Sequence, residues 1–188
     1  DSINAKTQII VEDDISKEKL EFLIDLKHEE ERLDYKEKVD TSNRRKSIVD
    51  LGCDIISMAN SYGGYLVFGV SEENNDFKPI GTTPETLDFL KSENIKAYLE
   101  KYVENLPLVK VRNYTRQDQK FCIVFIGPTD IPIPFRIDGE YSEANKQGRS
   151  HKKFRTGDLF VRHITSNEKA SFRDWQRFAE KIRKDERK

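Results

Sequence analysis

The sequence contains few of the residues that form disulfides or bind transition metals. It has two cysteines, Cys53 and Cys122, and three histidines among 188 residues. The cysteines lie far apart in the sequence, each in an apolar stretch, so a disulfide framework and a four-ligand zinc site are both excluded within one chain. Because thiols of this kind are typical of a reducing compartment, we expect a cytoplasmic protein.

Long hydrophobic runs are also absent. The longest apolar stretches, residues 65–70 and 121–126, are far shorter than the roughly 20 residues that a membrane-spanning helix requires. We expect neither a signal peptide nor a membrane partner. The length instead suits one domain that is large enough to form a hydrophobic core.

The glycine-rich loops that bind nucleotide phosphates are missing. Neither GxGxxG nor GxxxxGK[ST] occurs, and Gly63-Gly64 follows a predicted helix and precedes a strand, the reverse of the usual order. No GxSxG is present, and Cys53 falls in the middle of a predicted helix, where a thiol of the core is expected. Nucleotide hydrolysis by those loops and nucleophilic serine or cysteine catalysis are therefore unsupported.

Charge is abundant but unevenly distributed. Charged residues make up 36% of the sequence, and the formal net charge is −1. Residues 1–40 carry 13 acids and 7 bases, whereas residues 146–188 carry 14 bases and 6 acids. This asymmetry allows a polyanionic partner despite the low net charge, although a basic terminal helix is often merely solvated.

Periodicity predicts a mixed α/β or α+β domain without internal repeats. Residues 1–15 are a lead-in segment, and residues 16–188 form the domain. The first predicted helix begins at the N-cap Ser16. Three further helices are predicted over residues 41–60, 84–105 and 172–184. The predicted strands are residues 33–36, 65–70, 77–80, 108–115, 121–126 and, as the last strand, 159–162. Residues 128–156, with three prolines, are predicted to be a long irregular segment of the kind that often carries function.

Carboxylates gather next to two of the predicted strands. Glutamates 29–31 and Asp34 lie where the first helix meets the first strand, and Glu72 and Glu73 follow the strand of residues 65–70. If the two strands are neighbours, these acids converge at one end of the sheet. Such a cluster requires raised pKa values or a bound cation, and its oxygens suit Mg²⁺ or Mn²⁺, which activate water against phosphodiesters. A solvated acidic face is the alternative.

Three segments together resemble one known family. They are Asp34-Tyr35-Lys36 with Glu29 before it, MANSYGGYLVFGV at residues 58–70, and LFVR at residues 159–162. Over about residues 20–184 the sequence is similar to the Schlafen AlbA-like domain family. The resemblance implies a single α+β domain with a central mixed β-sheet flanked by helices. Bacterial members are described as DNA-binding domains, and animal Schlafen proteins pair two related lobes in a U-shaped RNA-cleaving core.

The resemblance also implies a metal-dependent site of three acids. Matching the motifs without gaps gives Glu29, Asp34 and Glu72 as the Mg²⁺ or Mn²⁺ ligands that activate water. The second acid is Asp instead of Glu and the third is Glu instead of Asp, so each carboxylate is displaced by about one methylene. Lys36 matches a lysine of the family and is predicted to hold a phosphate or to balance the acids. The zinc site of the Schlafens has no counterpart here.

Two groups of basic residues are candidates for contacts with a nucleic-acid backbone. The first group begins the second helix, and the second lies in the segment before the last predicted strand. They comprise Arg44, Arg45 and Lys46, and Lys146, Arg149, Lys152, Lys153 and Arg155. Neutralisation of phosphates by such side chains gives salt-sensitive affinity without sequence preference. Phe154, among these bases, either stacks on a base or belongs to the core.

The leading hypothesis is a nucleic-acid-binding domain that acts as a metal-dependent endoribonuclease on structured RNA such as tRNA, with RNA preferred to DNA. Its alternative is a non-catalytic DNA- or RNA-binding module of a larger regulatory or defence protein. A protein-interaction domain without either role is a third possibility. Because animal relatives pair two lobes and this chain has one, we also expect a homodimer that rebuilds the U shape.

Overall fold

The structure is a computed structural model that describes residues 9–74, 76–142 and 149–185. Five α-helices are present in these ranges: α1 (Lys17–Asp25), α2 (Arg44–Ala59), α3 (Pro84–Phe89), α4 (Ser92–Tyr102) and α5 (Phe172–Asp185). Ten strands accompany them: β1 (Leu33–Lys36), β2 (Gly64–Phe68), β3 (Val70–Glu73), β4 (Asp76–Pro79), β5 (Val109–Arg116), β6 (Gln119–Ile126), β7 (Gly139–Ser142), β8 (Ser150–Phe154), β9 (Phe160–His163) and β10 (Ser166–Lys169). The predicted α+β class is confirmed.

Four strands form a central mixed sheet in the order β1-β2-β6-β5. Strands β1 and β2 are parallel neighbours, which is the condition on which the predicted convergence of acids depended. Strand β6 is antiparallel to both β2 and β5. The remaining strands form three antiparallel hairpins, β3–β4, β7–β8 and β9–β10. The predicted hairpin of residues 108–115 and 121–126 corresponds to β5 and β6.

The continuous apolar runs of β2 and β6 are explained by burial of both faces of the sheet. Leu66 and Val124 face a core that includes α2 and α4, whereas Tyr65 and Ile123 face a second core that includes α1. Side chains alternate along a strand, so a strand covered on both sides must be apolar throughout. Each fully buried side chain of this size stabilises the fold by about 1.5–3 kcal/mol.

Helix α1 has the predicted N-cap, whereas α2 begins three residues later than predicted. Ser16 is the N-cap of α1, and its Oγ accepts a hydrogen bond from the Lys19 backbone N–H at 3.1 Å. A short 3₁₀ turn of Thr41–Asn43 precedes α2, and the Asn43 side chain accepts from the Lys46 N–H at 3.1 Å. These caps satisfy backbone donors that the first helical turn leaves unpaired.

Residues 9–15 of the predicted lead-in pack against the domain. Ile9 is completely buried in the core around α1. The Tyr65 hydroxyl donates to the Glu12 carbonyl at 2.6 Å, and the Tyr114 hydroxyl donates to the Ile15 carbonyl at 2.7 Å. This segment therefore covers one face of the sheet.

The predicted strand of residues 65–70 is divided at Gly69. Gly69 has φ +112°, and a Cβ there would lie 2.6 Å from Cδ1 of Phe121. Only glycine adopts this backbone without strain. The chain consequently leaves the sheet after β2 and continues as β3, which pairs with β4.

The single helix predicted over residues 84–105 is wrong, because α3 and α4 are separate. Phe89, Leu90 and Ile95 are all buried, at 1%, 0% and 1% exposure. At about 100° per residue, a continuous helix would direct these three side chains around its whole circumference. The break at Lys91, whose backbone is not helical (φ −55°, ψ 141°), lets all three enter one core.

Two further expectations near the C-terminus need correction. Residues 128–156 are not irregular throughout, because β7 and β8 pair within them, and Phe154 is buried and stacks on Phe135 with 3.6 Å between ring centroids. Phe154 therefore belongs to the core and is not a surface for bases. The strand of residues 159–162 is not the last one, since β10 pairs with β9 before α5 begins.

Both cysteines are free and buried, which confirms that Cys53 is a thiol of the core. Burial raises the pKa of each thiol to about 12, so neither is a thiolate at neutral pH. None of the helices in the described ranges is long and apolar enough to span a membrane.

Candidate functional site

Asp34, at the middle of β1, is the centre of a buried charge network. It is 7% exposed, and its two carboxylate oxygens contact different cations. Lys36 Nζ lies 2.9 Å from Oδ2, and Arg162 Nη2 donates to Oδ1 at 3.0 Å. Burial by itself would raise the pKa of Asp34, but the charges of Lys36 and Arg162 outweigh burial and lower it.

Lys36 is shared between two carboxylates. Its Nζ lies 3.0 Å from Oδ2 of Asp54 in α2, in addition to its contact with Asp34. Burial opposes the charged ammonium, yet Asp54 and Asp34 raise the pKa of Lys36 above its ordinary value. Burial raises the pKa of Asp54, whose Oδ1 accepts from the Asn167 side chain at 2.6 Å. Lys36 therefore balances acids, which is one of its two predicted roles.

Arg162 and Asp54 belong to this network although sequence reasoning gave neither a role. Arg162 lies on β9, is 1% exposed, and is fixed through its backbone N–H, which donates to Ser61 Oγ at 2.8 Å. Both residues carry the same signal in the sequence, namely a charged residue within an otherwise apolar run. Since charged side chains are almost never fully buried unless they are paired, that signal indicates a buried ion pair.

Glu29 lies beside Asp34, as the motif spacing predicted. Its Oε1 accepts a hydrogen bond from the Tyr35 backbone N–H at 2.9 Å. Burial, together with the neighbouring Asp34 carboxylate, raises the pKa of Glu29 to about 7 against the opposing effect of that hydrogen bond. A carboxyl group that is half protonated near neutral pH can both accept and donate a proton.

Glu72 lies apart from this pair. It is exposed on β3, opposite Phe77 of β4, beyond the point where Gly69 turns the chain out of the sheet. In the described ranges no hydrogen bond or ion pair joins Glu72 to Glu29 or Asp34, and no group of three or more Asp, Glu, His or Cys side chains is arranged to hold a metal ion. The positive charge beside Asp34 comes from Lys36 and Arg162. Glu29, Asp34 and Glu72 therefore do not form a metal-ligand set in this structure.

The two predicted basic groups are brought together even though about 100 residues separate them. The β7–β8 hairpin packs beside the N-terminal end of α2, where the Asn43 side chain donates to the Ser142 carbonyl at 2.8 Å. Arg45 lines a cavity of about 440 Å³ between the helix and the hairpin. We call this region the α2–hairpin surface; it comprises Arg45, Lys46, Arg149, Lys152 and Lys153.

The cations of the α2–hairpin surface differ in how they are paired. Lys152 Nζ lies 2.6 Å from Oδ2 of Asp138, and this hydrogen bond is the main reason that the pKa of Asp138 falls to about 2. Lys153 Nζ lies 3.9 Å from Oδ1 of Asp50, whose Oδ2 lies 3.5 Å from Lys46 Nζ. Arg45 is exposed and has no acidic partner among the residues that the structure describes.

Two residues of the predicted basic groups lie outside this surface, and a third is not among the described residues. The Arg44 guanidinium donates to the Tyr98 hydroxyl at 2.7 Å, towards α4. Arg155 is exposed just after β8, where its backbone N–H donates to Asp158 at 2.8 Å. Lys146 falls outside the described residues.

The fold is thus an α+β domain whose mixed sheet is covered on both faces, with a charged network at β1 and a basic surface at one end of α2. The chain belongs to the Schlafen AlbA_2 family, because the family model described as "Schlafen, AlbA_2" matches residues 29–171. That range contains Glu29, Asp34, Glu72 and both predicted basic groups. The family predicted from the motifs is therefore confirmed.

Two solved structures are similar to this chain. One is the DIP2311 protein of Corynebacterium diphtheriae, with 16% identity and a TM-score of 0.49; the match covers 79% of this chain and 23% of that one. The other is the N-terminal domain of a RecG-related protein of Nitrosomonas europaea, with 16% identity and a TM-score of 0.46, covering 81% of this chain and 92% of that domain. This chain therefore spans about a quarter of the Corynebacterium protein. No curated protein matches the sequence.

Proposed function

We propose that this domain binds nucleic acid through the sugar-phosphate backbone, at the α2–hairpin surface. The observation that carries the proposal is that the β7–β8 hairpin packs beside the N-terminus of α2, where Lys46 of the helix and Lys153 of the hairpin lie 3.5 and 3.9 Å from the same carboxylate, Asp50. Cationic side chains neutralise phosphates, and the positive end of a helix dipole favours the same anions. Membership of the Schlafen AlbA_2 family supports the same partner.

The chemistry of this surface suits phosphates better than base edges. Arg45, Lys152 and Lys153 are long, exposed side chains, and Phe154, the aromatic residue at the end of β8, is buried. Exposed ion pairs such as Lys152 with Asp138 are weak because solvent screens the two charges, so phosphates can compete for these cations. We therefore propose binding without sequence preference, and RNA as the preferred polymer because the animal Schlafens cleave RNA.

Binding can be measured by fluorescence anisotropy with labelled tRNA and with duplex DNA of similar length. The variant Arg45→Glu/Lys153→Glu reverses the charge of one exposed cation from each predicted basic group. The control, Arg112→Glu/Lys120→Glu, makes the same change in charge on β5 and β6. We expect the first variant to lose about tenfold or more in affinity and to bind with a shallower salt dependence, while the control stays within about threefold. Equal losses in the two variants would reject the surface, and tighter binding of DNA would reject the RNA preference.

An endoribonuclease is the second candidate, and the position of Glu29 beside Asp34 favours it. Its carboxyl, with a pKa of about 7, lies beside Asp34 and accepts a hydrogen bond from the Tyr35 backbone N–H. Perturbed carboxyl pairs of this kind are frequent in sites of proton transfer. Mg²⁺ or Mn²⁺ remains a prediction of the family resemblance, with Glu29, Asp34 and Glu72 as the predicted ligands.

The nuclease is tested by incubating tRNA with the protein and Mn²⁺ or Mg²⁺, in parallel with Glu29→Gln and with Glu72→Gln. Cleavage that is lost in both variants would support the three-acid site. Cleavage that is lost in Glu29→Gln alone would indicate a proton-transfer role without Glu72. If the variants and the wild type behave identically, the nuclease proposal fails and the non-catalytic binding module remains.

A further inference from the structure

A cleft of about 590 Å³ lies between α5, the turn after α2 and the segment of residues 9–11. Asn60, which follows the last residue of α2, is part of its lining. The α2–hairpin surface is at the opposite end of this 16-residue helix, and a helix of that length spans about 24 Å. The cleft is therefore separate from the surface proposed to bind a nucleic-acid backbone. We call it the α5 cleft.

The α5 cleft has a strong excess of positive charge. Its lining includes four cationic side chains, Arg32, Arg177, Lys181 and Lys184, and one carboxylate, Glu180. Asp130, which lies 3.1 Å from Lys181 Nζ, is itself 81% exposed and is not part of the lining. A concave surface with one sign of charge concentrates oppositely charged ligands.

Three of these cations are held in place by backbone carbonyls. Arg32 Nη1 donates to the Ile9 carbonyl at 2.9 Å, Arg177 Nη2 to the Asn60 carbonyl at 3.1 Å, and Lys181 Nζ to the Thr129 carbonyl at 2.6 Å. A carbonyl orients a cation without cancelling its charge. Asp174 is the nearest acid to Arg177 at 3.7 Å, and it already accepts hydrogen bonds from Ser171. The cleft therefore presents ordered donors, which lowers the entropic cost of binding an anion.

Most of the remaining lining is apolar or aromatic, next to the polar residues Asn60, Ser61 and Thr129. Ile10 is 66% exposed and Tyr62 is 42% exposed, and both line the cleft with Pro128. The guanidinium carbons of Arg32 and Arg177 lie 5.3 and 5.1 Å from the centre of the Tyr62 ring. A ligand that fits must combine an apolar, planar part with a multiply charged anionic part, and the volume is typical of small-molecule sites.

We propose that the α5 cleft binds a nucleoside phosphate, with the phosphates on the cations of α5 and the base on the wall formed by Ile10 and Pro128. The ligand is either a free nucleotide or the phosphorylated terminal nucleotide of a nucleic-acid strand, since both present the same chemistry. The proposal goes beyond binding at the α2–hairpin surface and does not depend on it.

The test begins with calorimetric titration of the whole chain with ADP and with adenosine, which lacks phosphates. Lys184→Glu is the informative variant, because Lys184 is exposed and lines the cleft. Arg183→Glu is its matched control, since the adjacent Arg183 carries the same charge on the same helix but is not part of the lining. We expect ADP to bind at least tenfold more tightly than adenosine, Lys184→Glu to weaken ADP binding about fivefold, and Arg183→Glu to change it less than twofold.

A second arm distinguishes the two sources of the ligand. Ten-nucleotide RNA strands with a 5′-phosphate, a 3′-phosphate or hydroxyl ends are compared on the wild type and on both variants. A preference for one phosphorylated end that is lost only in Lys184→Glu identifies a strand terminus. If ADP binding is weakened only by Lys184→Glu, and RNA strands show no preference for a phosphorylated end, the ligand is a free nucleotide. If neither ligand discriminates Lys184→Glu from Arg183→Glu, the proposal is rejected, whereas binding of tRNA at the α2–hairpin surface is unaffected by that result.

Discussion

Arg162 on β9 donates a hydrogen bond to Asp34 on β1 at 3.0 Å, although 128 residues separate the two in the sequence. This contact connects the β9–β10 hairpin to the edge of the central sheet. Arg162 is 1% exposed and Asp34 is 7% exposed, so each charge depends on its partner for compensation. The acid predicted to bind a metal is consequently held by side chains of this chain.

We expect the loss of Arg162 to destabilise the protein strongly. Arg162→Leu leaves Asp34 buried with Lys36 as its one remaining cation, and removal of one partner from a buried pair costs about 3–5 kcal/mol. Arg155→Leu, at an exposed arginine beyond β8, serves as the control and should cost less than about 0.5 kcal/mol. Urea denaturation measures both free energies of unfolding. A cost below about 1 kcal/mol for Arg162→Leu would mean that the pair makes no essential contribution.

The raised pKa of Glu29 predicts that stability decreases as pH rises. The folded-state pKa is about 7 and the ordinary value is 4.5, so the folded protein binds a proton more tightly than the unfolded chain between these limits. Stability is therefore lost progressively from about pH 4.5 to pH 7. Glu29→Gln removes this contribution and should be less sensitive to pH than the wild type over that range. Denaturation at pH 5 and pH 7.5 checks the trend, and an NMR titration midpoint of Glu29 near 4.5 would contradict it.

The contacts of His163 predict that the stability with which α5 packs on the domain depends on pH. Its ring nitrogens lie 3.1 Å from Asp174 on α5 and 3.1 Å from Glu168 on β10. Hydrogen bonds to Asp174 and Glu168 raise the pKa of His163 above its ordinary value of 6.5. The stabilisation that protonated His163 provides is complete below the pKa of this residue in the unfolded chain. It is lost as pH rises through the pKa of His163 in the folded protein.

We therefore expect the wild type to exceed His163→Gln in stability at pH 6 and to lose that advantage at pH 8.5. Paired denaturation curves at the two pH values measure the difference. Amide hydrogen exchange in α5 should accelerate over the same interval in the wild type only, after correction for intrinsic exchange. A constant difference between the two proteins from pH 6 to pH 8.5 would show that the charge of His163 does not hold α5.

The parts of the fold that the sequence predicts well are those that depend on local chemistry. Strand β1 has the boundaries expected from its residues, Ser16 caps α1 as predicted, and the β5–β6 hairpin follows its alternating pattern. Capping, strand alternation and a short turn each involve neighbouring residues, so a single sequence contains the whole signal.

The parts that were missed depend on distant contacts. The separation of α3 from α4 allows Phe89, Leu90 and Ile95 to be buried together. Helical periodicity does not indicate this break, because it describes only the residues of one continuous helix. Likewise, Glu29 and Asp34 could be paired by motif spacing, whereas Arg162 and Asp54 reach the site only through tertiary folding. A charged residue in an apolar run reveals that a partner exists, but it does not identify that partner.

The homodimer predicted from the two lobes of animal relatives remains a proposal with a direct test. Light scattering at working concentrations should give roughly 44 kDa, twice the chain mass of 22.0 kDa. A mass near 22 kDa at every accessible concentration would reject the dimer. Measurement with and without tRNA would show whether the nucleic acid is required for association.

Gly69 and Gly52 form a matched pair, because substitution by alanine should have opposite effects on stability at the two positions. Gly69 has φ +112°, and a Cβ there would lie 2.6 Å from the Phe121 ring, whereas a Cβ at Gly52 in α2 would meet no atom within 4 Å. Gly69→Ala introduces both backbone strain and a steric clash, and we expect it to cost about 3 kcal/mol. Gly52→Ala should stabilise the protein by about 0.5–1 kcal/mol, since alanine restricts the unfolded chain and favours the helix. Thermal and urea denaturation of both variants measure the effects. If Gly69→Ala is tolerated as well as Gly52→Ala, then β2 does not need the break that directs β3, and Glu72 with it, out of the central sheet.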